Sequence, residues 1–507
     1  MKLSSCLTSR AYSRAAVFAC LFIFTCVVSG RAQYPVSSID SLVRRVQEDQ
    51  GFEGNVLVAD HGRIVYEKSI GAGLSANSVF DLASVSKAFT AVAIMQLVEA
   101  GKLSLADNIY QFFPNLPYKG VNVWHLLTHT SGLEDYLAGS VRTVAGLDKP
   151  TDAETEDAYG FVHPPLRFYP DSNWSYSNTN YLLLAMIVEK VSGETFPDYV
   201  QAHIFDPAGM IHSYVLRKNV PRYTESGVVV PRYYPDYFAL RPVRVDSIPF
   251  ARRYYSLIDN TYGDGGIFST AGDLFKFFRA LQKGVLLEPI AMKQMYSEAP
   301  LLNFADYEAG NAGSNYSSEY GMGWLVATDH SHGKIVWHSG SNPGTLTFFM
   351  QNVTRDQCVI VLNDNWYKGT YHLGGSIMSI LDGRPEELLP PSLARKVGQA
   401  YTLYGADTAI ALLNRLKTSP DYHVALQEMN DLGYGLLNRG DTRTAIAVFR
   451  VNAAEYPQSS DAWDSLAEAC YKAGDRVEAA GDYKRSLQLN PRDENGRAML
   501  EKINDGQ

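Results

Sequence analysis

The chain has 507 residues, 46% of them hydrophobic and 20% charged. That composition excludes a disordered chain, and the length exceeds one ordinary core, so two or three domains are expected. The net charge of −9, with no long basic block, argues against nucleic acid as a partner.

The N-terminus reads as an export signal. Lys2, Arg10 and Arg14 form a positive region ahead of an apolar run over residues 15–28, and Gly30-Arg31-Ala32 supplies the small residues of a cleavage site after Ala32. The run is short for a membrane span. A periplasmic or secreted location is therefore expected, with residues 1–32 removed. Of the five cysteines, Cys6, Cys20 and Cys26 leave with the signal. Cys358 and Cys470 fall in different predicted domains, so no bridge is expected.

Residues 56–59 and 64–66 are β-branched runs around the turn signal Asp60-His61-Gly62, which predicts an antiparallel hairpin. The apolar run over residues 83–100, ended by Gly101, predicts a helix, and it begins with Ser84-Val85-Ser86-Lys87. Side chains at i and i+3 share a helix face, so the Ser84 hydroxyl and the Lys87 amine point the same way. Serine is a poor nucleophile until a neighbour takes its proton, and a lysine desolvated enough to lose its charge can do so. The unpaired N–H groups of a helix start offer a seat for an oxyanion.

Helical patterns follow over residues 103–200, among them 123–127 and 181–191, with Tyr176-Ser177-Asn178 ahead of the second. A phenol near an ammonium ionises more easily and can shuttle a proton. An asparagine two residues on can turn its amide to a substrate carbonyl or to the lysine. His125 and His129 have the spacing of a metal pair, but Leu126 stands where a zinc-protease helix carries glutamate, so no metal or cofactor is expected. Residues 214–260 are rich in tyrosine, arginine and proline; they read as a solvated insertion or as a lid offering cations to an anionic substrate.

A helix is expected over residues 271–283, a strand over 334–338, a hairpin over 345–352 and 357–363, and a closing helix over 369–381. Strands thus stand at both ends of this domain and helices between them. The fold class is α/β: an antiparallel sheet flanked by helices, closed by strands from both termini, with an inserted helical lobe. The strand at 334–338 runs into His338-Ser339-Gly340-Ser341. An edge strand beside a nucleophile can donate a backbone N–H to an oxyanion and align an extended substrate, and Gly340 permits close approach.

Asp382-Gly383-Arg384-Pro385 and Pro390-Pro391 mark a boundary. Beyond it, Leu432, Gly440, Ala445, Phe449 and Pro457 recur as Leu466, Gly474, Ala479, Tyr483 and Pro491, each pair 34 apart, which is the tetratricopeptide period. An all-α repeat module is expected at residues 425–495, a linker with a degenerate helical repeat at 383–424, and a tail at 496–507, after a hydrolase-type domain at 33–382. Such stacks present a groove to a peptide or helix, so a protein partner is expected. Truncation at Pro390 is expected to leave small-ester hydrolysis nearly intact.

The three motifs in this order resemble the serine beta-lactamase and penicillin-binding-protein superfamily, in the branch of class C beta-lactamases, DD-carboxypeptidases, D-aminopeptidases and esterases. The resemblance covers roughly residues 39–381 and includes the stretches at 126–133 and 265–274. It implies that Ser84 attacks a carbonyl to form an acyl-enzyme, that Lys87 and Tyr176 share the proton transfers, and that Asn178, His338, Ser339, Gly340 and Ser341 bind substrate. The N–H groups of Ser84 and Ser341 would hold the oxyanion. His338 departs from the lysine of class C beta-lactamases. A mostly neutral histidine attracts a carboxylate poorly, so a peptidase or esterase acting on a small molecule or peptide is expected over an efficient beta-lactamase.

Overall fold

The computed structural model describes residues 36–137, 149–297, 319–329 and 332–505, so the expected export signal lies outside the described residues. The central sheet has seven strands: β1 (Gly54–Asp60), β2 (Arg63–Ile70), β3 (Glu319–Tyr320), β4 (Leu325–Asp329), β5 (Gly333–Asn342), β6 (Thr345–Asn352) and β7 (Gln357–Asn363). They run antiparallel in the order β2-β1-β7-β6-β5-β4-β3. The N-terminal hairpin joins the C-terminal strands through β1 against β7, with Gly54 opposite Asn363 and Asp60 opposite Gln357. This is the closure by both ends that the sequence predicts.

Four helices frame the sheet and the site: α1 (Val36–Gln50), α2 (Ser86–Glu99), α3 (Asn178–Ser192) and α4 (Thr370–Leu381). Both faces of the sheet are covered. Val56, Val58, Val359 and Val361 share a core with Ile39 and Val43 of α1 and Leu373 and Ile377 of α4. Leu57, Ala59, Ile360 and Leu362 share another with Phe89 and Val92 of α2 and with Leu274 and Phe277. Each such buried side chain contributes about 2 kcal/mol. Two covered faces explain why β1 and β7 read as unbroken apolar runs rather than as an alternation.

Helix α2 is apolar all round, and every residue from Ser86 to Met95 is buried. A helix of that kind belongs inside a core, so Lys87 is stripped of water by its place in the chain. The expected helix over 83–100 begins later than its pattern suggests, because Ala83–Val85 is a separate 3-10 turn. A small second sheet, Phe80–Asp81, Ile267–Ser269 and Tyr214–Val215, supports that turn. Its strands are too short to leave a period in the sequence.

Beyond the sheet domain come α5 (Leu393–Tyr404), α6 (Ala406–Leu416), α7 (Leu426–Asn438), α8 (Thr442–Glu455), α9 (Ser460–Lys472), α10 (Arg476–Leu489) and α11 (Glu494–Asn504). The repeat puts Leu432 and Leu466, Ala445 and Ala479, and Phe449 and Tyr483 at equivalent buried points in one core. Gly440 and Gly474 take φ of 81° and 86° after α7 and α9, left-handed positions that glycine fills without strain. Ala409 and Leu413 of α6 lie in the same core, so the stretch read as linker or degenerate repeat packs as a helix pair. The described residues form one compact unit.

Candidate active site

Ser84 stands in the 3-10 turn directly after the short strand Phe80–Asp81. Ala83 has φ of 49°, which costs a residue with a Cβ about 1–2 kcal/mol. Asp81 holds it there: its Oδ1 accepts the Ala83 N–H at 2.9 Å. Its Oδ2 accepts from Arg222 Nη1 and Asn342 Nδ2, each at 2.8 Å. Arg222 is itself buried and also pairs with Asp259 at 2.7 Å, so the two carboxylates compensate a charge removed from water.

Lys87 lies one turn on. Its Nζ is 3.2 Å from Ser84 Oγ and 2.8 Å from both Asn178 Oδ1 and the Asp264 carbonyl. Burial lowers its pKa to about 8, against the opposing pull of the Asp264 and Asp135 carboxylates. Asn178 opens α3, and its N–H and Nδ2 both donate to Asp135 Oδ2, at 3.0 and 2.8 Å. That clamp turns the amide oxygen to Lys87. The Asn178 amide is therefore engaged at both ends by protein groups, although the residue borders the cleft.

Tyr176 lies with its ring centre 4.9 Å from Lys87 Nζ and 4.4 Å from the ring of His129. His129 is buried, and its Nδ1 accepts the Ser177 N–H at 3.2 Å, bracing the Tyr176-Ser177-Asn178 turn. Burial, then the Lys87 charge, holds His129 well below its usual range, so it is neutral. His125 Nδ1 accepts the Asn122 N–H at 3.2 Å in a capping box. The two histidines at metal spacing are thus structural braces.

Side chains on a strand alternate between faces. On β5, Ser339 and Ser341 border the cleft and His338 is not among its lining residues. His338 is fully buried; its Nδ1 donates to the Ser339 carbonyl at 2.6 Å and its Nε2 accepts from the Tyr320 hydroxyl at 3.0 Å. Burial, then the Lys87 charge, lowers its pKa to about 3. The expectation that His338 binds substrate is corrected on that ground. Gly340 contributes by lacking a side chain: a Cβ there would lie 2.3 Å from both the Leu82 carbonyl and Thr347 Oγ1.

The cleft over Ser84 has a volume of about 210 Å³. Its polar floor is Ser84, Asn178, Asp264, Ser339, Ser341 and Asn342, and its wall is Leu137, Tyr176, Tyr254, Ile258 and Tyr371. No arginine, lysine or histidine is among these described lining residues. Residues 214–260 therefore give the cleft an aromatic and aliphatic wall rather than the cations of a charged lid. Several of their cations pair with carboxylates instead, Arg217 with Asp198, Arg232 with Glu53 and Asp364, and Arg244 with Asp246. Asp81, Asp135 and Arg222 escaped the sequence reading because their roles depend on partners distant in the chain. Asp264 escaped it too, standing just ahead of the stretch at 265–274.

Residues 39–372, more than half of the chain, match the beta-lactamase family. The chain belongs to that family. It is 32% identical over 339 residues to penicillin-binding protein 4* of Bacillus subtilis, covering 64% of this chain and 71% of that one. It is 31% identical over 194 residues to esterase EstB of Burkholderia gladioli, covering 34% and 49%. In three dimensions it resembles the octameric penicillin-binding protein homologue from Pyrococcus abyssi, with a TM-score of 0.59 at 24% identity, covering 69% of this chain and 78% of that one. The D-amino acid amidase of Ochrobactrum anthropi gives a TM-score of 0.55 at 20% identity, covering 68% and 99%. A tetratricopeptide repeat matches at residues 460–493, over α9 and α10. As a member of this family the protein is a serine hydrolase.

Proposed function

We propose that the protein is an exported hydrolase that cleaves an uncharged ester or amide through an acyl-enzyme on Ser84, with Lys87 as the base. The observation that carries this reading is the bonding of the Lys87 amine. A neutral amine has two hydrogens and one lone pair. The two acceptors at 2.8 Å, Asn178 Oδ1 and the Asp264 carbonyl, take the hydrogens, and the lone pair faces Ser84 Oγ at 3.2 Å. Lys87 removes the hydroxyl proton as Oγ bonds to the carbonyl carbon. The oxyanion is received by the N–H groups of Ser84 and Ser341. Tyr176, lying against the amine, relays that proton from the Lys87 ammonium to the leaving group as its bond breaks; Lys87, neutral again, then takes a proton from the water that attacks the ester and gives it to Ser84 Oγ as the bond between Oγ and the acyl carbon breaks.

The cleft supports an uncharged substrate. Its described lining offers no cation, while Asp264 borders it and Asp135 lies behind Asn178. A substrate carboxylate meets no cation among the described lining residues, and peptide or ester groups find the Ser84, Ser339 and Ser341 hydroxyls and an aromatic wall. This favours a peptidase, amidase or esterase over an efficient beta-lactamase. Export is supported by the N-terminal pattern of basic, apolar and small residues. A protein partner for the repeats is part of the same proposal.

A fluorophosphonate probe is expected to label the wild type, and Ser84→Ala to abolish both labelling and turnover, with kcat down about 10⁴-fold or more. Labelling that persists in Ser84→Ala would show a different nucleophile. In parallel, p-nitrophenyl butyrate or a D-amino-acid amide is expected to exceed nitrocefin in kcat/KM by about 10²-fold. Nitrocefin as the better substrate would reverse the assignment of class.

A further inference from the structure

The segment at residues 231–258 joins the repeat module to the substrate wall. Its short strands Arg232–Tyr233 and Val243–Arg244 pair, with Arg232 opposite Arg244, so residues 234–242 form the tip of a hairpin. That tip is anchored in the helical module. Phe238 lies in one core with Val397 of α5 and Leu432 and Leu436 of α7. The Arg439 guanidinium stands 3.6 Å from the Phe238 ring centre and pairs with Asp236 at 2.9 Å. The Phe238 carbonyl accepts the Thr402 hydroxyl at 2.9 Å, and Arg395 lies 4.0 Å from the centre of the Tyr234 ring. The approach is close enough that a Cβ on Gly398 would be 2.4 Å from the Tyr237 carbonyl.

The other end of the segment forms part of the cleft. Tyr233, at the base of the hairpin, packs edge-on against Phe250 with ring centres 5.4 Å apart. Phe250 opens the helix Pro249–Ile258, whose Tyr254 and Ile258 border the cleft. The Tyr254 hydroxyl donates to Asn342 Oδ1 at 3.2 Å, and Tyr255 donates to the Pro343 carbonyl at 2.7 Å. The hairpin chain therefore joins its tip, packed on α5 and α7, to its base, which packs with Tyr254 and Ile258 of the wall beside Ser84.

We propose that the repeat module is a built-in support for the substrate wall, and that Phe238 is a positioning residue acting on substrate through Tyr254 and Ile258. The proposal rests on the reading of the Ser84 cleft as the active site. The Lys87 amine is held by Ser84, Asn178 and Asp264, none of them in this segment. Loosening the tip therefore displaces the wall and leaves the proton-transfer groups in place: binding weakens and chemistry persists.

The test is kinetic and uses the full chain. Phe238→Ala is expected to raise KM for p-nitrophenyl butyrate roughly fivefold with kcat within about twofold of the wild type. Phe238→Leu, which keeps an apolar anchor, should bring KM back toward the wild-type value, and fluorophosphonate should label both. An unchanged KM in folded Phe238→Ala overturns the proposal. So does a parallel loss of kcat and labelling, which would mark a general collapse. Should Phe238→Ala not fold, Arg439→Gln is read in the same assay, where a rise of roughly twofold supports the proposal and an unchanged KM overturns it. A wild type that the probe does not label would instead remove the reading of the cleft itself.

Discussion

The amine of Lys87 is useful only when uncharged, and its surroundings decide at what pH that is. Burial favours the neutral form and lowers the pKa to about 8, from an ordinary value of 10.5. Asp264 and Asp135 oppose that shift. The active form is the deprotonated one, so kcat/KM for a neutral ester should rise with pH along a limb centred near 8. A profile flat from about pH 6 to 10 would exclude Lys87 as the titrating base. The second carboxylate offers a control. Asp135→Asn removes one of the charges that raise the Lys87 pKa, so the limb should move to lower pH. Asp135 also holds the Asn178 amide at both nitrogen positions, so kcat should fall as well, by up to about 10²-fold if the amide swings away.

At the level of elements, the site is a junction where a 3-10 turn, the edge of β5 and the start of α3 meet. The turn carries Ser84 on a backbone that Ala83 takes up with φ of 49°, and β5 closes over it because Gly340 has no side chain. Gly340→Ala would drive a Cβ to 2.3 Å from the Leu82 carbonyl and from Thr347 Oγ1. Both are buried, so the strand must lift from the nucleophile. A shift of about 1 Å costs about 10²-fold in rate, and kcat/KM measured beside a thermal melt should show that loss with the fold retained. Near-normal turnover would mean that β5 does not set the site. Ser84, Lys87, Tyr176, Asn178, Ser339 and Ser341, which the structure brings together, could be picked out as candidates because each sits in a local motif beside an element that the apolar pattern reveals. His338 stands outside the cleft lining, fully buried: a motif gives residue order and not burial. Asp81, Asp135 and Arg222 were not legible: each acts across a separation that only the folded chain closes. The central sheet was legible in its long strands, whereas the two-residue strands β3 and Phe80–Asp81 leave no period to read.

For the whole molecule, the composition break near residues 382–391 marks a change of architecture but no energetic boundary. Truncation at Pro390 would uncover Phe238 and remove Glu428 from Lys368, so the sequence expectation of an untouched hydrolase gives way to one of a weakened wall. Glu428 on α7 is the polar centre of the junction. It takes Lys368 Nζ at 2.6 Å, the Ser392 hydroxyl, and His423 Nε2 at 3.3 Å. Burial works against the Glu428 charge, but the bonds from His423, Lys368 and Ser392 outweigh it and lower the pKa from 4.5 to about 2. Burial likewise works against charge on His423, and the Glu428 carboxylate with the Pro390 carbonyl outweighs it and raises the pKa above 6.5, Lys368 opposing. His372 couples to His423, and burial chiefly shifts its pKa down. The carboxylate contributes about 3 kcal/mol, present above about pH 4.5 and lost as pH falls toward its folded value. The histidine contribution is present below about pH 6.5 and lost as pH rises through its raised folded value. Both are complete between those limits. The melting temperature of the full chain should therefore exceed that of Glu428→Gln most widely between about pH 4.5 and 6.5, with the gap narrowing on either side. A gap of constant width from about pH 3 to 9 would mean that the ionised node does not hold the two parts together. Catalysis, which gains as Lys87 loses its proton near pH 8, and the junction, which is firmest in mild acid, thus respond to pH in opposite senses.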